Sequence, residues 1–562
     1  MAWPRPVPTI GDRTSAAERG ADPTGWAFSP ETITAVYEAI HARRDIRRFR
    51  PDLIEPGVLR RVLGAAHAAP SVGHSQPWRF ILVEDAVTRD RAAWLADRER
   101  LGQAGQMESA AAAHLLDLKL EGIREAPMGI VVCCDRRAPA AGVLGRATFE
   151  DTDIWSCVSA IQNLWLAARA EGLGLGWVTL FRPEDLSTLV GLPAGVISLG
   201  WLCIGWPDER PPDPGLERAA WSQRLGLDEV LLRERWPSIE PPPPRSRLRG
   251  PTPKAVVDAL DLADTVLSPT GSLGLLDRIV DRAIALGWAE LHGGTLVLAA
   301  GRHRVVELGV SAYDASVTDV VLAAARAGEA LGARAASAAG LDLMVVDGGS
   351  STGNLRDTDA MTPERVSELV VQGRSLGLSA GAAGLVALGE VGVGNTTAAA
   401  ALAALLLDLS PDEAVGRGAS ADTAVVQRKR DVVAAALARV RASTSAGAAD
   451  PIHALAHLGG PEFALLTVVT LGAAESGALV IVDGLATSIA ALAAVLVEPA
   501  VSMHLVAGQR SREAAHPRLL TELGLEPLLD LKFRAGEGVG ASMAAGLLLQ
   551  AIGVRRAVAR TV

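Results

Sequence analysis

Apolar and polar positions follow two different periods along this chain, and the period changes at glycines and prolines. Helical spacing predicts helices over 32–43 and 58–69. In 70–78, Pro70, Gly73 and Pro77 enforce a loop that leads into a strand over 79–83. A helix stopped at Pro127 precedes an unbroken apolar run, 130–134, which reads as a buried strand. The clearest amphipathic signal comes next: Ile154, Val158, Ile161, Leu164 and Trp165 recur at helical spacing and predict a helix over 153–171. Gly172, Gly174 and Gly176 break it before a strand over 177–180.

The pattern lapses at 236–254, WPSIEPPPPRSRLRGPTPK. Four prolines from Pro241, then Pro251 and Pro253, neither continue a helix nor sit inside a sheet, so this stretch reads as an extended spacer. Beyond it, 254–283 reads as helical, and short apolar strands at 296–298, 343–346 and 479–482 alternate with Ala-rich helices. That rhythm predicts an α/β domain with a parallel sheet, whose ligands lie beyond the carboxyl ends of the strands. The expected division is a disordered leader, 1–30, a first domain, 31–237, a Pro-rich linker, 238–254, and a second domain, 255–562. The apolar runs at 398–407 and 484–497 fall short of the roughly 18 residues of a membrane span and read as buried helices.

Composition shifts at the same seam. Of twelve tryptophans only Trp288 follows it, and all four cysteines precede it. A net charge of −10 over 562 residues lacks the basic footprint of nucleic-acid or anionic-membrane binding, which leaves small molecules as partners. Cys133 and Cys134 are adjacent while Cys157 and Cys203 stand apart, a spacing that fits neither a CxxC pair nor a disulfide scaffold and suits a reducing cytoplasm. The residues before Trp26 contain no apolar core of a secretory leader.

Candidate chemistry concentrates in loops. Arg43, Arg44 and Arg47 in RRDIRRF read either as a solvated helix end or, with the loop 70–78, as a clamp for a phosphate and an aromatic ring. In the second half, LGEVGVGNTT brings Gly389, Gly392 and Gly394 ahead of the capping residues Asn395, Thr396 and Thr397. That is either tight helix packing or a phosphate site at a helix N-terminus. VGRGAS, with Gly416, Arg417 and Gly418, is a second such loop, with Lys429 on the helix behind it, and RAGEGVGAS sets Glu537 between glycines. His453 and His457 have i,i+4 spacing but lack a third ligand, so no metal is expected.

RRDIR, APSVG..QPW, LKLEGI.EAP, QNLWLAARAEG and GWVTL together resemble 5,6-dimethylbenzimidazole synthase, the oxygen-dependent flavin destructase of the nitroreductase-like superfamily, over 37–236. The resemblance implies an α+β FMN domain in which reduced FMN is cofactor and substrate, supplied by a separate flavin reductase and broken down with O2. It implies that Asp45 is the proton acceptor and that Thr179, where the family carries Ser, keeps a catalytic hydroxyl. Arg43, Arg44, Arg47, Ser71, Gln76, Pro77, Trp78 and Gly176 are implied to hold FMN, at a site shared between two subunits of a homodimer. Ser75 replaces a more usual apolar residue.

GVSAY, STGNLRDTDAMT, LGEVGVGNTT, VDGLAT and LGLEPLLDLKFRAGEG resemble nicotinate-nucleotide:dimethylbenzimidazole phosphoribosyltransferase over 260–549. That implies transfer of ribose phosphate from nicotinate mononucleotide to dimethylbenzimidazole, with Glu537 as base and Glu390 as second acid. Ser311, Tyr313, Gly392, Gly394, Asn395, Thr396, Gly416, Arg417, Gly418 and Lys429 are implied to bind substrate. In GRHRVVELGVSAY, Arg302 and Arg304 flank His303 where the family has an acid and Gly. A rival reading makes the second domain a non-catalytic binder of dimethylbenzimidazole, and another makes the first an ordinary flavin reductase.

Overall fold

The computed structural model describes residues 11–237, 248, 250–416, 422–443 and 450–561. The chain forms two compact units, Thr24–Pro241 and Pro242–Val562, with Met1–Pro23 grouped with the second. The four prolines from Pro241 lie outside the described residues, and the end of the expected linker is already helical: Thr252 caps the helix Pro253–Asp264. Part of the leader, expected to be disordered, is also ordered. Residues Ala16–Ala21 form a short helix closed by a Ser15–Glu18 capping box, and Arg19 pairs with Asp261 at 2.6 Å.

The first unit is built on a four-stranded antiparallel sheet of β1 (Trp78–Val83), β2 (Met128–Asp135), β3 (Gly174–Val178) and β4 (Val196–Gly205), in the order β1-β2-β4-β3. β2 is an unbroken apolar run because both of its faces are covered. Ile130, Val132 and Cys134 pack with the helices Pro56–His67 and Thr152–Ala170, while Val131 and Cys133 pack with the helices Ala86–Ala104 and Pro183–Val190. Gly174 and Gly176, expected to precede the strand, lie inside β3. A Cβ on Gly174 would stand 3.0 Å from Ile46, and one on Gly176 would collide with the Ile46 carbonyl, so glycine here admits the 45–46 segment against the strand.

The second unit is an all-parallel sheet of β5 (Gly294–Arg302), β6 (Leu341–Ser350), β7 (Leu385–Val391), β8 (Leu479–Val482) and β9 (Leu505–Ala507), ordered β6-β5-β7-β8-β9. The chain leaves β5 toward β6 and returns to β5's other side as β7. A crevice therefore opens beyond the carboxyl ends of β5 and β7. The helices Pro363–Gly381, Pro461–Glu475 and Leu485–Val497 cover one face, and Leu275–Ala285, Leu331–Ala338 and Val539–Ala557 the other. Leu485–Val497 and Asn395–Leu406 are buried over most of their circumference, which explains their apolar, Ala-rich sequences. Among the described residues no helix is long and apolar enough to cross a membrane.

Candidate active sites

In the first unit, Asp45 bridges to Leu175 of β3, and the Ile46 N–H donates to the Leu175 carbonyl at 2.9 Å. The Asp45 carboxylate accepts the Trp177 N–H at 3.1 Å and Arg47 Nη1 at 2.8 Å. Its side chain keeps 41% of its surface open, yet burial by the surrounding chain pushes its pKa above the usual carboxylate range, against the pull of Arg47, the Trp177 N–H and Arg43. Arg43 lies 4.5 Å over the Trp165 ring. Arg44 donates to the His41 and Arg43 carbonyls at 2.6 and 2.8 Å, and its Nε is buried without a partner. Thr179 is exposed just past β3. Asp45, Arg47, Gly176 and Thr179 thus share one sheet edge.

The other half of the expected FMN set lies elsewhere. Gly73, His74 and Gln76 all have positive φ (52°, 54° and 48°), and the Ser71 hydroxyl accepts the Gln76 N–H at 3.1 Å, so the loop before β1 is tightly coiled. Ser75 and Pro77 line a cavity of about 420 Å³ with Arg79, Arg137 and Arg146. Trp78 is 3% exposed, part of the core, and its Nε1 donates to His67 Nδ1 at 3.1 Å. β1 and β3 are opposite edges of the sheet, three strand spacings or about 14 Å apart.

In the second unit the crevice beyond β5 and β7 collects the acids. Glu390 is not in a loop but near the end of β7, and Glu537 packs onto it, its N–H donating to the Glu390 carbonyl at 3.1 Å. Asn395 Nδ2 donates to Glu390 Oε2. Burial, reinforced by Glu462, Asp483 and Glu537, raises the Glu390 pKa well above the ordinary value. Glu537 is half-buried in a left-handed conformation, φ 61°, and its Oε2 accepts the Gly332 N–H at 3.0 Å at the start of the helix Leu331–Ala338. Backbone crowding makes glycine obligatory at Gly389, whose Cβ would stand 2.7 Å from the Glu537 carbonyl carbon. The same holds at Gly392, whose Cβ would stand 2.7 Å from the Gly301 carbonyl oxygen.

Of the expected substrate residues, Asn395 reaches Glu390 and Thr396 follows it on the same helix. Gly394 (φ 92°) opens the helix Asn395–Leu406, and the buried Lys429 donates to Thr396 Oγ1 at 2.9 Å, its pKa lowered by burial. Gly416 lies beside Glu513, whereas Arg417 and Gly418 lie outside the described residues. Ser311 Oγ accepts the Tyr313 N–H at 3.1 Å, and Tyr313 is exposed. Arg428 donates to the Gly309 carbonyl at 2.9 Å, which ties this loop to the helix of Lys429. Arg302 and Arg304 carry no loose charge toward the crevice. Arg302 pairs with Asp347 at 2.7 Å and Asp319 at 2.9 Å, and Arg304 with Glu307 at 3.0 Å. His457 is held by Asp359 at 2.8 Å, and the described residues contain no cluster of three metal-type ligands.

The "Phosphoribosyltransferase" family model matches residues 248–561, more than half of the chain, and the "Nitroreductase family" model matches residues 40–206. The chain belongs to the phosphoribosyltransferase family, and its first unit is nitroreductase-like. Within the first unit, 5,6-dimethylbenzimidazole synthase of Rhodospirillum rubrum is 42% identical over 204 residues, which is 36% of this chain and 95% of that protein. In the phosphoribosyltransferase unit, nicotinate-nucleotide–dimethylbenzimidazole phosphoribosyltransferase of Thermus thermophilus is 38% identical over 319 residues, 53% of this chain and 93% of that protein. The crystal structure of CobT from Thermus thermophilus superposes with a TM-score of 0.51 at 36% identity, covering 54% of this chain and 96% of that one. The chain is a fusion of two units, each matching nearly the whole length of an enzyme.

Glu462 escapes a reading by motif, while His303 and Asp483 lie in GRHRVVELGVSAY and VDGLAT without an expected role of their own. Glu462 and His303 form a fully buried pair at 2.6 Å, and Asp483 sits buried at the end of β8. The signal for Glu462 is a single acid inside the apolar run 461–469, which burial makes too costly without a purpose.

Proposed function

We propose that this chain makes and then ribosylates the lower-ligand base of cobalamin. The nitroreductase-like unit fragments reduced FMN with O2 to 5,6-dimethylbenzimidazole. The phosphoribosyltransferase unit moves ribose phosphate from nicotinate mononucleotide onto that base, giving α-ribazole 5′-phosphate and nicotinate. The observation that carries the reading is the meeting of Glu390 and Glu537 at the end of β7, beside the Gly392–Asn395 turn. Nicotinate leaves as a neutral ring nitrogen from a pyridinium, so it needs no proton. The incoming benzimidazole must lose its N–H proton as its other nitrogen bonds the anomeric carbon, so one base is required. Burial among acids pushes the Glu390 pKa up and so favours its protonated, hydrogen-bond-donating form; Glu537 is left to accept the proton. Lys429 and the Gly394 turn are the assigned phosphate holders.

In the first unit, Arg44 with its unpartnered Nε and the guanidinium of Arg47 fit an anionic phosphate or ring oxygen. Reduced flavin supplies both the carbon skeleton and the electrons that oxygen takes up. Asp45, its pKa raised, is the group that accepts a proton beside the ribityl chain, and Arg47 holds it in place. The two halves of the FMN set lie on opposite sheet edges, which supports a site completed by a second copy of the chain. The helix Pro30–Ala42 supports the same homodimer, because Ile33, Val36, Tyr37 and Ile40 are exposed along one face. Four free, buried cysteines support a cytoplasmic setting, with a separate reductase supplying the flavin.

The pairing of Arg302 and Arg304 with local acids favours a catalytic second unit over a mere binder. Given nicotinate mononucleotide and dimethylbenzimidazole, the full chain should form α-ribazole phosphate, and Glu537→Gln should slow it by roughly two to four orders of magnitude. An inactive parent chain would favour the binding reading instead. Oxidation of NAD(P)H without loss of flavin would favour a flavin reductase.

A further inference from the structure

The helix Val539–Ala557, which follows Glu537 directly, has no cap of its own, since its N-cap is Gly538. A side chain from another element takes that role. Asp483 Oδ1, at the end of β8 and 3% exposed, accepts the Ala541 N–H at 3.0 Å in the first turn of the helix. Gln509, beyond β9, donates its Nε2 to the same oxygen at 3.1 Å, and the Asp483 N–H donates to Thr487 Oγ1 at 2.8 Å. The helix end is pressed onto this pair: a Cβ on Gly540 would stand 2.6 Å from Gln509 and 2.7 Å from Asp483 Oδ1. Immediately before it come two successive left-handed residues, Glu537 (φ 61°) and Gly538 (φ 72°). For a residue with a Cβ that conformation costs of order 1–3 kcal/mol and persists only where the surroundings over-determine it.

We propose that Asp483 is the positioning residue of the transfer site: by capping the helix Val539–Ala557 from β8 it fixes the left-handed turn at Glu537 and so where the Glu537 carboxylate points. The proposal rests on the reading of Glu537 as base. In this role Asp483 acts through the backbone at the start of the helix Val539–Ala557. The groups facing it are Gln509, Thr487, the first-turn N–H groups of the helix, and the neighbouring Glu390 carboxyl group.

The test places Asp483→Asn and Asp483→Ala in the full-length chain, each alone and combined with Glu537→Gln, and measures kcat and KM for transfer to dimethylbenzimidazole. Asn keeps the acceptor oxygen, and Gln509, whose Oε1 is unpartnered, can turn to receive its amide. Asp483→Asn should therefore keep kcat within about fivefold, while Asp483→Ala lowers it about 10- to 100-fold with KM for the nucleotide changed less than about threefold. In the Glu537→Gln background, Asp483→Ala should cost less than about twofold more, because its effect passes through that carboxylate. Equal losses in both backgrounds, or a loss that falls on KM, would overturn the positioning role. If Asp483→Ala fails to fold, Asp483→Asn decides: a kcat loss as large as that of Glu537→Gln contradicts the cap. A Glu537→Gln chain with parental turnover would instead remove the base reading and leave this proposal without its object.

Discussion

Asp483 carries a consequence for stability as well as for geometry. Burial raises its pKa to about 7, whereas an unfolded aspartate titrates near 3.9. The folded chain therefore holds this proton more tightly than the unfolded chain does. Stability from this group is greatest below about pH 4 and is lost as pH rises toward about 7, by up to a few kcal/mol. Glu390, raised for the same reason, adds to the slope in the same direction. The calorimetric transition that shifts with added nicotinate mononucleotide identifies the phosphoribosyltransferase unit. Between pH 5 and pH 8 its midpoint should fall in the parent chain and fall less in Asp483→Asn; an unchanged slope in the variant would show that Asp483 does not titrate there.

Among the elements, β7 decides the most. Its last residues set Glu390 in the crevice and its Gly389 gives Glu537 room, so one strand aligns both acids. Gly389→Ala would force its methyl group onto the Glu537 backbone, 2.7 Å away. Transfer should drop by at least about tenfold while dimethylbenzimidazole formation from reduced FMN stays at the parental rate; loss of both activities would contradict so local an effect. The sequence pattern marks β5, β6 and β8 but not β7, because its residues merge with the Gly-rich turn and the Ala-rich helix that follow. β9 has only three residues, and β4 is interrupted by Gly200 at φ 104°. The acids of the quoted motifs, Asp45, Glu390 and Glu537, stand out in the sequence because glycines or arginines surround them. Glu462 does not, and Asp483 is legible only as a member of VDGLAT, since their contacts join strands and helices far apart in sequence. Arg302 and Arg304 show the opposite case: conspicuous departures in sequence, they turn out to be locally paired.

On the scale of the whole molecule, two units that each match nearly the full length of an enzyme are joined through a proline-rich seam. The product of the first proposed reaction is the acceptor of the second, so the fusion is expected to act as a sequence of two steps with separable residues. The most direct test supplies reduced FMN, O2 and nicotinate mononucleotide to the full chain and follows dimethylbenzimidazole and α-ribazole phosphate together. The parent chain should form α-ribazole phosphate with no added base. Asp45→Asn keeps an oxygen for the Trp177 N–H but cannot take the proton; it should form neither product and should recover transfer when dimethylbenzimidazole is added. Glu537→Gln should accumulate free dimethylbenzimidazole. If Asp45→Asn still consumes flavin at the parental rate, or if added base fails to restore transfer in it, the two-step account is wrong.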